Sequence, residues 1–80
     1  MAVQPDARLD RARLDADLSQ GELFLRYFAL GGMSTSLQVE AFLFGALLPT
    51  PHDYDVLAQA LNERFVELGE NHPVPYSGDT

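Results

Sequence analysis

The stretch Gly31-Gly32-Met33-Ser34-Thr35-Ser36-Leu37-Gln38 lies between two apolar runs and carries a helix stop followed at once by a helix start. Paired glycines suit the left-handed turn that ends a helix, because they lack the Cβ that opposes a positive φ. Thr35 with Gln38 three residues on has the pattern of a capping box, in which each side chain bonds the other's backbone N–H. Two helices joined by a short loop are therefore predicted.

Upstream, Ser19 and Glu22 repeat the capping spacing, and Leu23, Phe24, Tyr27, Phe28 and Leu30 recur at threes and fours, which predicts a helix over 20–30. Glu22 and Arg26 are spaced for an i, i+4 ion pair. Downstream, residues 36–48 hold only Gln38 and Glu40 as strongly polar side chains. A helix so apolar around its circumference has to be covered on more than one side, so this one is expected at the centre. Pro49 is expected to end it. Thr50, Pro51 and Asp53 then supply a cap, a first-turn proline and an acid for the positive end of a helix over 51–68. Tyr54, Leu57, Ala58, Leu61, Phe65 and Leu68 share its inner face, with Asp55, Gln59, Asn62, Glu63 and Glu67 on or beside the other, and Gly69 closes it.

The ends are weaker. Leu9, Leu14 and Leu18 step by five and four, which drifts around a helix, so residues 1–18 read as a flexible or weakly helical arm. Residues 70–80, with Pro73, Pro75 and no periodicity, read as a disordered tail. The expected fold is all-α: a small three-helix bundle over 19–69 with short loops, gaining a fourth, N-terminal helix if the arm folds.

Composition narrows function. Eighty residues make one small domain, and the absence of cysteine removes disulfides, thiolate zinc sites and thiol catalysis. The net charge is −7 and all five bases are arginine, a balance that repels a phosphate backbone and argues against nucleic acid. No apolar run is long enough to span a bilayer, and Asp6, Asp10, Asp15 and Asp17 occupy the place where a signal peptide needs basic and then apolar residues, so a cytoplasmic protein without membrane contact is expected.

Phe28-Ala29-Leu30-Gly31-Gly32-Met33-Ser34 resembles the phosphopantetheine attachment motif of peptidyl carrier proteins, where phenylalanine, leucine and paired glycines precede the modified serine. The resemblance implies an acyl or peptidyl carrier with 4'-phosphopantetheine on Ser34. Met33 stands where that family has aspartate or histidine, and Thr35 where it has leucine. Leu25 to Gly32 together with Leu57 to Arg64 is also similar to short acidic helical proteins of actinobacteria without assigned chemistry.

His52 with Asp53 and Asp55, and His72 from the tail, are candidate metal ligands, but acids in a first helical turn are explained by the dipole, and neither a metal nor another cofactor is expected. No acid–base pair is enclosed, so no enzyme is expected. Phe42 and Phe44 are two apart, about 200° around a helix, so one of them has to face away from the core. Leu25, Leu37, Phe44 and Leu48 form the expected interface, with Glu63, Glu67 and Glu70 as an acidic rim. The leading expectation is a helical protein–protein interaction module, regulatory or adaptor in role and homodimeric. The carrier is the alternative, and an antitoxin-like or DNA-associated regulator stands third.

Overall fold

The computed structural model describes residues 8–70 and 74–76. They form four helices, α1 (Arg8–Asp15), α2 (Gln20–Ala29), α3 (Ser36–Phe44) and α4 (Pro51–Glu67), with no strand among the described residues. α1 and α2 each pack against both α3 and α4. The arrangement is an all-α helical bundle.

Each start follows local chemistry. Ser19 accepts from the Glu22 N–H at 3.0 Å while Glu22 accepts from the Ser19 N–H at 2.8 Å. Thr35 and Gln38 make the same exchange at α3, and Thr50 accepts from the Asp53 N–H at α4 with Pro51 at the first position. The stops are equally uniform. After α2 the N–H of Gly31 bonds Phe28 O and that of Gly32 bonds Tyr27 O, with Gly31 at φ 95°. Gly69 (φ 74°) ends α4 in the same way.

Two boundaries differ from the sequence reading. α3 does not run to Leu48; Gly45 turns left-handed at φ 76° and ends it at Phe44, four residues before Pro49 could act. And residues 8–18 are more than an arm, since α1 buries Leu9, with Ala16 and Leu18 buried just after its end. Asp17, at φ 56°, does there what glycine does elsewhere. Its N–H bonds Leu14 O and the next bonds Arg13 O, so α1 closes on the same pattern of hydrogen bonds.

The centre is α4, not α3. α4 buries Tyr54, Val56, Leu57, Ala58, Ala60, Leu61 and Phe65, whereas α3 buries only Val39, Phe42 and Leu43. Leu68, expected inside, is 39% exposed. The core adds Leu23 and Tyr27 from α2. Val74 joins it too, its N–H donating to Asn62 Oδ1 and its carbonyl accepting from Asn62 Nδ2, so this part of the expected tail is docked on α4. The expectations for residues 1–7, 71–73 and 77–80 lie outside the described residues.

Three glycines sit in three different settings, which generates a test. A Cβ on Gly32 would collide with the Tyr27 ring, one on Gly31 meets open space but carries a positive φ, and one on Gly21, inside α2, meets open space. Gly32→Ala should cost about 1–3 kcal/mol by overpacking. Gly31→Ala should cost about 1–2 kcal/mol for the left-handed backbone. Gly21→Ala should gain roughly 0.5–1 kcal/mol. Denaturant midpoints would check the order, and a neutral Gly32→Ala would contradict the contact.

Candidate functional site

The loop between α2 and α3 is held by one buried side chain. Tyr27 is 0% exposed, yet its hydroxyl donates to Asp53 Oδ1 at 2.9 Å and accepts from the Ser34 N–H at 2.8 Å. Asp53 Oδ2 also accepts from Thr50 Oγ1 at 3.1 Å and from Ser34 Oγ at 3.3 Å. Asp53 therefore gathers three hydroxyls and ties the loop to the start of α4. In this geometry the half-buried Ser34 hydroxyl serves as a donor within the fold, and exposure falls instead on Met33, 90% open at the loop tip.

A second polar cluster joins the other end of α4 to its neighbours. Glu67 receives both arms of the Arg26 guanidinium, at 2.8 and 2.7 Å. Arg64 donates to Ala16 O at 3.0 Å and reaches Glu67 at 3.5 Å, linking the end of α1 to α4. Arg26 thus pairs across the bundle and not with Glu22, whose carboxylate is spent on the Ser19 cap. The two-armed hydrogen bond from Arg26 holds the Glu67 carboxyl below its ordinary value and raises Arg26 in turn. The backbone N–H of Ser19 does the same for Glu22.

The four residues read as an interface are all at the surface: Leu25 66%, Leu37 74%, Phe44 58% and Leu48 61% exposed. Phe42 is buried, so the pair divides as the 200° rotation requires. Leu37 and Phe44 are seven apart and share one stripe of α3. One acid, Glu40, borders that stripe, three residues from Leu37 and four from Phe44. Glu67 is committed to Arg26, and Arg26 lies about 200° around α2 from both Phe24 and Phe28. Glu63 and Glu70 are exposed on and just beyond the distal part of α4.

The sequence reading missed a groove between α2 and α3. It encloses about 200 Å³ and is lined by Gln20, Gly21, Phe24, Ser36, Val39, Glu40 and Leu43. Gly21 leaves one wall open for want of a side chain. The Phe28 ring, outside that lining, stacks 6.2 Å from Phe24. A glycine inside an otherwise good helix is the signal that could have marked it. Exposed His52 gains no ligand partners; among the described residues no group of three His, Asp or Glu side chains is placed to hold a metal ion. No described helix is long and apolar enough to cross a membrane.

Comparison with protein-family models, curated proteins and solved structures finds no match to the chain.

Two outcomes follow from the polar clusters. Tyr27→Phe removes a buried donor and leaves the Ser34 N–H unpaired, which should cost about 1–3 kcal/mol in denaturant unfolding. Its effect should be non-additive with Asp53→Asn, since both act on one hydrogen bond; strict additivity would contradict the geometry. Because Glu67 titrates lower in the fold than in the unfolded chain, its contribution is present above the unfolded carboxylate value and is lost as pH falls through the folded one. Stability measured across a pH series should therefore decline less steeply on acidification in Glu67→Gln than in wild type.

Proposed function

We propose that the chain is a small helical protein–protein interaction module, regulatory or adaptor in role, that performs no catalysis of its own and self-associates. One observation carries this reading. Of eleven large apolar side chains left exposed among the described residues, seven fall between Leu25 and Leu48. Single exposed leucines are ordinary, but apolar side chains concentrated on one pair of helices and their turns mark a surface that another polypeptide covers.

The α3 stripe of Leu37 and Phe44, continued by Leu47 and Leu48 in the following turn, is the face assigned to a second copy. α3 buries three side chains and has only Glu40 as a charged residue, so covering its outer face costs little desolvation.

Self-association is read by sedimentation velocity across a concentration series. Wild type should shift from monomer toward dimer, and Leu37→Ser with Phe44→Ser should hold the monomer while the helical circular dichroism stays unchanged, because both side chains are more than half exposed. A wild type that remains monomeric at every concentration would overturn the homodimer.

A further inference from the structure

From the way α4 holds residue 74 we infer a peptide-binding site: Asn62 and the apolar surface beside it take an extended segment with a β-branched apolar residue between prolines, and the chain's own Val74 occupies that site as an exchangeable ligand. The site uses no residue of the Leu37 and Phe44 stripe, so it stands apart from self-association.

The seated segment defines what fits. Asn62 Nδ2 donates to Val74 O at 3.1 Å, and Asn62 Oδ1 accepts from the Val74 N–H. The N–H and C=O of one residue point the same way in extended backbone, so the carboxamide stands where a neighbouring strand would exchange the same two bonds. This part of the contact reads main chain, whatever the side chain. The side chain is read separately: Val74 is 7% exposed and belongs to the same apolar cluster as Ala58 and Phe65, which lie one turn to either side of Asn62 on α4. Pro73 and Pro75 flank it in the sequence and have no N–H, so Val74 carries the one main-chain donor of the three residues, and Asn62 takes it. A residue bracketed by prolines thus brings no second donor to be desolvated.

The same contact is small enough to exchange. Of residues 74–76 only Val74 is buried, so the inner part of the attachment is a single side chain beside a single carboxamide. Such a contact opens by local motion while the helices stay formed, because little apolar burial is given up. Tethering works the other way. The covalent connection to α4 holds the segment at an effective concentration on the order of millimolar, so a segment in trans gains the site when the chain's own hold is weakened.

The probe is the chain's own sequence in trans: residues 73–76 as a free, fluorescein-labelled peptide, read by fluorescence anisotropy against the full chain. Val74→Gly, which withdraws the side chain from the site, should bind the probe saturably and at least about tenfold more tightly than wild type, where the tethered segment competes. Asn62→Leu in the Val74→Gly chain should abolish binding. N-methylation of the probe's valine, which removes its N–H and keeps its side chain, should abolish it too. In wild type, the Val74 amide should exchange with solvent at least about tenfold faster than the amides of Leu57 and Leu61 in α4. A probe that binds wild type and Val74→Gly alike, is indifferent to N-methylation, or binds neither protein would overturn the site. So would a Val74 amide that exchanges only with the whole fold, or a Val74→Gly chain that loses its helical circular dichroism, since either makes the valine a fixed part of the core.

Discussion

A tyrosine hydroxyl in a place without water is the constraint around which this bundle is arranged. Tyr27 packs with no exposed surface, so its oxygen has to find partners inside the protein or cost the desolvation of a buried polar group. It finds the Asp53 carboxylate and the Ser34 N–H, and both choices have structural reach. Asp53 belongs to the first turn of α4, where an acid is favoured by the helix dipole as well. Ser34 belongs to the loop before α3. One hydroxyl therefore fixes three segments, and the face of the same ring lies against Gly32, where no larger residue fits. The glycine pair that closes α2 has two separate duties: Gly31 turns the backbone, and Gly32 admits the ring.

The opposite end of α4 is held by charge in place of a buried hydroxyl. Arg64 satisfies the Ala16 carbonyl near the end of α1, and Arg26 binds Glu67 with a planar fork that an ammonium could not reproduce. Carboxylates near the C-terminus of a helix oppose its dipole. Here Arg26 and Arg64 offset that cost at Glu67, and in doing so they bring α1 and α2 onto α4. α4, at 17 residues the longest helix, buries seven side chains where α3, with nine residues, buries three. Both ends of that helix are tied to its neighbours.

What could be read in the sequence was local. The capping boxes at Ser19 and Thr35, the Thr50 and Pro51 start and the Gly31 and Gly69 stops each span a few residues, and each appears in the structure. α1 is obscure in the sequence because Ala12 within it and Ala16 just past its end face inward as alanines, which scarcely register in a hydrophobic pattern, and because aspartate stands at its left-handed terminus. Pro49 is the stronger stop in isolation, so the sequence implies a longer α3, but Gly45 comes first and ends the helix at Phe44. The importance of α4 was masked in the same way, since Val56 and Ala60 lie outside the stripe traced through its larger residues. Of the surface residues, exposure of Phe44 opposite buried Phe42 followed from rotation about a helix axis, whereas Leu48 lies beyond the end of α3. The Tyr27–Asp53 and Arg26–Glu67 contacts, 26 and 41 residues apart, followed from nothing in the local pattern.

The groove shows how a local weakness in a helix becomes a feature of the fold. Glycine within α2 is unfavourable for the helix by itself, because it loses more backbone entropy on folding than alanine and contributes no packing. The structure has space there for a side chain, so steric need does not explain Gly21 as it explains Gly32. Filling the position would strengthen α2 and close the wall opposite Glu40. Open, it leaves the half-buried Phe24 beside Glu40, a carboxylate without a hydrogen bond or ion pair among the described residues. Arginine placement has the same consequence from the other side: each one committed to a helix end or to Glu67 is one fewer available to Glu40. The fold thus joins its helices with Arg26 and Arg64, and neither reaches Glu40.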